Sequence, residues 1–296
     1  MTDIKQPIFI VGAGRSGSTI FHQGLALHPH ISWLTRILNK YPSKPHLNQR
    51  VLNALDTPLI GAWFKQSDRL GGGECYPFWD TYYPGFGRPV RDLVADDVTP
   101  GIQKKLHHVL SQTMTPNRPT LMTKITGWPR LSFLYTLFPD ARFVHIVRDG
   151  RAVAHSLTKV DFWEGWHGPE NWRWGKLSPA HETLWEEHNQ SFIALAGINW
   201  LILMERMQQA RKQLDVVGAG SQFLEFKYET LCSEPMDTMK MVLDFCELAW
   251  TSDFEQSLQQ LSFANTNDKW QQELTDAQQQ TLETVTRPYL DYYDYS

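Results

Sequence analysis

Two hydrophobic periods alternate along this chain. Residues 7–12 (Pro-Ile-Phe-Ile-Val-Gly) are a short apolar run closed by glycine, the pattern of a parallel strand buried on both faces. A helical period follows over 17–28 and stops at His28-Pro29. The exchange recurs: 120–124, 141–148 and 222–227 read as strands, and 101–115, 130–138, 150–159, 235–248 and 275–285 as helices. Residues 180–213 predict one long helix, with Gly197 as the place for an interruption. Between these lie two irregular insertions, about 39–100 and 160–178. The first is broken by Pro42, Pro45, Pro58, Gly71-Gly-Gly73, Pro77, Pro84, Gly85, Gly87 and Pro89. Strands alternating with helices predict a three-layer α/β fold. A central, mostly parallel sheet of about five strands carries helices on both faces, in a single domain over 1–296.

The first strand feeds Gly12-Ala-Gly-Arg-Ser-Gly-Ser-Thr19, a Gly-rich turn that opens a helix. Such a turn cradles phosphate oxygens with backbone N–H groups and a helix N-terminus. Gly12 and Gly17 have the P-loop spacing and Thr19 is in place, but Ser18 stands where the P-loop lysine belongs. That lysine reaches the β/γ-phosphates, so its absence suits a nucleotide without a γ-group, and Arg15 lies inside the loop instead. Gly12-x-Gly14-x-x-Gly17 also spells the dinucleotide fingerprint, which needs an acid about 20 residues on. From Ile4 to Leu55 there is no Asp or Glu, while Lys5, Arg15, Arg36, Lys40, Lys44 and Arg50 are present. An acid-free surface beside the loop favours an anionic ligand over a ribose-binding carboxylate.

Bulk composition narrows the partners. The chain has 296 residues and a net charge of −4, so no overall basic field argues for nucleic acid. No stretch approaches 18 apolar residues and no signal peptide precedes the first strand, so a membrane span is not expected. Three cysteines (Cys75, Cys232, Cys246) form neither a disulfide framework nor a metal-ligand spacing, which suits a cytoplasmic protein without metal.

A second constellation is Phe143-Val-His-Ile-Val-Arg148, followed by a helix with Ser156. An arginine at the carboxyl end of a strand points into the ligand crevice of an open α/β sheet. Guanidinium plus hydroxyl makes an anion clamp. Together the two motifs resemble the sulfotransferase family that uses 3′-phosphoadenosine 5′-phosphosulfate (PAPS), in motif style its bacterial and tyrosylprotein-type branch. The resemblance implies that Gly14, Arg15, Ser16, Gly17, Ser18 and Thr19 form the 5′-phosphosulfate loop and that Arg148 and Ser156 clamp the 3′-phosphate. It also implies a catalytic lysine at Lys124. Phe226-Lys-Tyr228-Glu-Thr-Leu is similar to the family segment whose tyrosine lies near the adenine, and Lys269-Trp270 to a late element whose lysine reaches the cofactor.

The implied reaction moves a sulfuryl group from PAPS to an acceptor hydroxyl, leaving PAP (adenosine 3′,5′-bisphosphate), with Arg15 and Lys124 neutralising the leaving phosphate. It is an in-line transfer without metal. The general base is open. Family members carry a histidine two residues past the lysine, where this chain has Thr126, or a glutamate about 20 residues past the loop, where it has Leu34-Thr-Arg36. Candidates are Glu74 on the glycine-flexed 71–80 segment, then His22 and Asp80; each also has a purely structural reading. Trp163, Trp166, Trp172 and Trp174 crowd one loop and either line an acceptor pocket or plug a core. The tyrosine-rich end 289–295 reads as a docking or solvated tail, with a sulfation-like context as the lesser reading. The acceptor class (carbohydrate, lipid, peptide or small metabolite) is open. The rival readings are a P-loop kinase or nucleotide switch, a nicotinamide-dependent oxidoreductase and a non-catalytic nucleotide-binding protein of the same fold.

Overall fold

The computed structural model describes residues 3–57 and 72–295. Pro58 and Gly71 of the first insertion lie outside them. Five strands form one sheet in the order β2-β3-β1-β4-β5: β1 Ile8–Gly12, β2 Ile31–Trp33, β3 Thr120–Thr126, β4 Arg142–Val147 and β5 Phe223–Lys227. Every pairing is parallel, with Ile10 opposite Lys124 on one side and Val144 on the other. β1 is central, so all five of its residues are buried. This is the expected parallel sheet; β2 is the strand that three residues were too few to reveal.

The two-residue period sorts the strands between faces. Phe9, Val11, Leu121, Ile125 and Phe143 join one core with Phe133, Phe138 and Met207. Ile8, Ile10, Met122, Val144 and Ile146 join the other with Phe21, Leu25 and Met239. A third cluster packs the helices Gly150–Leu157, Phe192–Val216 and Asp276–Tyr292 together around Trp200. Lys124 and Thr126 share the parity of Met122 and so leave β3 on the face covered by the Ser18–Ala26 helix.

Several boundaries differ from the sequence reading. The irregular stretch 39–100 contains helices Pro45–Leu55 and Tyr76–Tyr82. Its prolines serve partly as helix starters, because the first turn has N–H groups without intrahelical partners. The long helix is two, Pro179–Glu187 and Phe192–Val216, broken where Asn189 and Gln190 take positive φ and Ser191 caps the second. Gly197 is a contact rather than a break: a Cβ there would lie 2.9 Å from Val285 Cγ1. The tyrosine-rich end is docked, extending the last helix to Tyr292, with Tyr289 against Trp200 and Tyr293 buried.

Candidate active site

The Gly-rich loop joins β1 to the Ser18–Ala26 helix at the carboxyl edge of the sheet. Arg15 (φ 70°) and Gly17 (φ 80°) both take left-handed backbone, which turns successive N–H groups toward one concavity. Gly17 is obligatory twice over, since a Cβ there would meet the Tyr228 ring at 2.1 Å. No side chain caps the helix that follows, so its first N–H groups face the loop's concavity. Ser16 and Ser18 are buried in the loop, and the Ser16 hydroxyl has no partner among the described residues. Gly14 has open space around its Cα.

Arg148 follows β4 directly and is nearly buried. Its Nε donates to Asn267 Oδ1 (2.8 Å), one terminal nitrogen to the Arg15 carbonyl (2.9 Å) and the other to Thr266 Oγ1 (3.0 Å). The guanidinium lies 4.5 Å from the centre of the Tyr228 ring, whose hydroxyl donates to the Ala264 carbonyl. Burial, with a contribution from Arg15, pushes the Arg148 pKa down. Arg15 Nε donates to Ser156 Oγ (2.9 Å), so its side chain turns toward the Arg148 end of the loop. Among the described residues neither arginine has a carboxylate within ion-pair distance. Two neighbouring cations without a counter-ion form an anion site.

At the other edge of the loop, Lys124 Nζ donates to Thr19 Oγ1 (3.0 Å) and pairs with Glu74 Oε1 (3.2 Å). The same carboxylate oxygen accepts from Thr126 Oγ1 (3.2 Å). Lys124 and Thr126, two apart on β3, thus hold Glu74 in place and leave Oε2 without a protein partner among the described residues. His22 is buried beside Gly72, where an added Cβ would strike its ring at 1.7 Å, and neither ring nitrogen has a partner among the described residues. Burial first, then the charge of Lys124, lowers its pKa to about 3. Asp80 instead closes a turn, accepting from the Gly87 N–H at 2.8 Å. The Cys75 thiol, raised to about 12 chiefly by burial, donates to the Leu34 and Thr35 carbonyls.

A cavity of about 590 Å³ joins these groups, lined by Arg15, Ser18, Thr19, Glu74 and Lys124 on its chemical side. Val153, Leu157, Phe162, Trp163, Glu164, Arg173, Trp174 and Leu203 also line it. The Trp loop therefore divides. The Trp163 and Trp174 indoles line the cavity and both donate to Asn199 Oδ1, at 3.2 and 2.9 Å. Trp172 is buried and donates to the Gly175 carbonyl, while exposed Trp166 packs edge-on against Trp163 and Phe192. Lys269 is exposed at the start of the Lys269–Glu273 helix and does not line the cavity; its neighbour Trp270 is buried under Arg151. Among the described residues no group of three or more His, Cys, Asp or Glu side chains is placed to hold a metal ion.

A family model for the sulfotransferase family matches residues 7–252. The chain belongs to the sulfotransferase family. Solved sulfotransferases share its fold at low identity. STF9 from Mycobacterium avium is 18% identical with a TM-score of 0.59, the alignment covering 99% of this chain and 78% of that one. A sulfotransferase domain from the curacin biosynthetic pathway is 14% identical with a TM-score of 0.58, covering 99% of both chains. The corresponding domain of the Synechococcus PCC 7002 olefin synthase is 17% identical with a TM-score of 0.54, over 100% of this chain and 97% of that one. No curated protein matches the chain in sequence.

In this sulfotransferase several contributors escaped the sequence reading. Thr126 holds Glu74, Thr266 and Asn267 hold Arg148, and Asn199 ties the two cavity tryptophans. A faint signal existed for two of them. Asn199 is the one polar side chain in the apolar run 193–204, and Asn265-Thr-Asn267 is a polar cluster just before Lys269-Trp270.

Proposed function

We propose that this sulfotransferase moves a sulfuryl group from PAPS to an acceptor hydroxyl. The observation that carries the reading is the charge layout around the loop. Arg15 and Arg148 stand without carboxylate partners at one end, and Lys124 bonded to Thr19 stands at the other. The residues fit the donor: the loop N–H groups and the helix N-terminus suit the 5′-phosphosulfate, and Arg148 with Ser156 and Arg15 suits the 3′-phosphate. The Tyr228 ring lies between the loop and Arg148, where an adenosine would pass.

When bound, PAPS supplies a sulfuryl group whose bond to the phosphate breaks in line as the bond to the acceptor oxygen forms. Lys124 and Thr19 meet the charge that develops on the departing phosphate. Glu74 Oε2 takes the acceptor's proton, with Oε1 held by Lys124 and Thr126. The apolar part of the lining, Val153, Leu157, Phe162 and Leu203 with the two tryptophans, suits an acceptor hydroxyl carried on an apolar body. Both indole N–H groups there are spent on Asn199, so hydrogen bonds to a sugar would fall to Glu164 and Arg173, which line the same cavity. The three cysteines are free thiols, which suits a cytoplasmic setting.

The test is thermal stabilisation by PAP against AMP, Mg²⁺-ATP and NADH, followed by PAP release with an acceptor panel. A ligand at about 100 times its Kd adds about 2.7 kcal/mol. Stabilisation by PAP that largely disappears with AMP is expected; a response to Mg²⁺-ATP or NADH alone would replace the reading with a kinase or an oxidoreductase. Glu74→Gln is expected to lower turnover about 100-fold or more with PAP affinity intact. PAP binding without turnover on any acceptor would favour a non-catalytic protein.

A further inference from the structure

Glu229 follows the tyrosine that flanks the loop, and both of its carboxylate oxygens are engaged. Oε1 accepts from the Asp149 N–H (3.2 Å) and from Asn267 Nδ2, and Oε2 accepts from the Tyr295 hydroxyl (2.9 Å). Asn267 turns its other amide atom, Oδ1, to Arg148 Nε (2.8 Å). An amide can present either its donor or its acceptor, and a carboxylate on Nδ2 forces the carbonyl toward the guanidinium. A hydrogen-bonded line therefore runs from the docked C-terminal segment through Glu229 and Asn267 to Arg148. The segment is pinned at its end: Lys227 Nζ lies 4.8 Å from the centre of the Tyr295 ring and 3.4 Å from the Asp294 carbonyl.

We propose that Tyr295 is a positioning residue for the 3′-phosphate clamp, acting through Glu229 and Asn267 on Arg148. The proposal rests on the PAPS reading of the site. Arg148 spends three of its five N–H groups on Asn267, Thr266 and the Arg15 carbonyl, which leaves one on each terminal nitrogen. Two such N–H groups are a fork for phosphate, and its aim depends on how firmly the other three are held. Burial and the Glu229 charge push the Tyr295 pKa up, so its hydroxyl keeps its proton and remains a donor. Without it, Glu229 Oε2 loses its donor and the carboxylate can swing off Asn267.

The test compares PAP and ADP by isothermal titration on the full chain, because ADP fills the 5′ site with a diphosphate in place of the donor's phosphosulfate and lacks the 3′-phosphate. Tyr295→Phe is expected to weaken PAP about fivefold, the size of one ordinary hydrogen bond because the effect reaches Arg148 only through Glu229 and Asn267, and to leave ADP unchanged. A general structural role would weaken both ligands alike. Asn267→Ala is expected to weaken PAP at least as much, and adding Tyr295→Phe to it should cost nothing more. Unchanged PAP affinity in Tyr295→Phe, equal losses for the two nucleotides, or additive losses in the double variant would overturn the proposal. A wild-type chain that does not bind PAP would sink the PAPS reading itself, and this inference with it.

Discussion

His22 is the residue whose titration the fold most visibly suppresses. Its folded pKa of about 3 lies below the ordinary 6.5, because burial and Lys124 both oppose the proton. Between these values the unfolded chain binds a proton that the folded chain refuses. The His22 contribution is therefore full above pH 6.5 and falls by about 1.4 kcal/mol per pH unit as pH drops toward 3. His28 and His155, also lowered, act in the same direction. Asp92 acts oppositely: burial raises its pKa to about 6, so the folded chain holds a proton there that the unfolded carboxylate binds only at lower pH. His22→Leu is expected to flatten the acid side of a plot of urea midpoint against pH between 6.5 and 4. An unchanged slope would move the origin of the acid loss to other groups. The same pKa makes His22 a poor base near neutral pH and leaves Glu74 as the favoured candidate.

At the scale of elements, the cavity wall hangs on one side chain. Asn199 projects from the Phe192–Val216 helix and accepts from two indoles of the loop that follows the Gly150–Leu157 helix. Asn199→Leu leaves two indole N–H groups unpaired, which should cost about 1–3 kcal/mol in a urea melt. It should also raise the acceptor KM while PAP affinity stays the same; an unchanged KM would reduce the loop to a plug. What the sequence made legible follows the same division. β1, its Gly-rich loop and the β4–Arg148 junction were readable because local pattern and chemistry coincide there. The helices Pro45–Leu55 and Tyr76–Tyr82 were hidden by prolines that read as breakers and serve as starters. Asn199, Asn267 and Thr126 act through partners 25 to 119 residues away, and such pairings leave no trace in local periodicity.

Across the whole molecule the charge is uneven. The chain carries a net −4, yet the segment from Ile4 to Leu55 has no acid and supplies Arg15 and Arg36 to the cavity. A polyanionic nucleotide approaching that mouth meets a local field of the opposite sign. The association rate of PAP is accordingly expected to fall several-fold between about 50 and 500 mM salt, with the dissociation rate changing less. Stopped-flow measurement across that range checks it; a salt-independent rate would mean that the overall negative charge governs the encounter.

The strand order has a consequence for what the site measures. Lys124 lies on β3 and Arg148 just beyond β4, and β1 separates these strands. Adjacent strands lie about 4.8 Å apart, so the two cations stand on strands about 10 Å apart, a gap set by backbone hydrogen bonds rather than by side-chain torsions. The sheet works as a calliper with fixed jaws. On the PAPS reading, a small dianion such as sulfate would fill one jaw, whereas a nucleotide with charge at both ends would close the span. Discrimination by length would then be written into the order of the strands, beneath any single side chain.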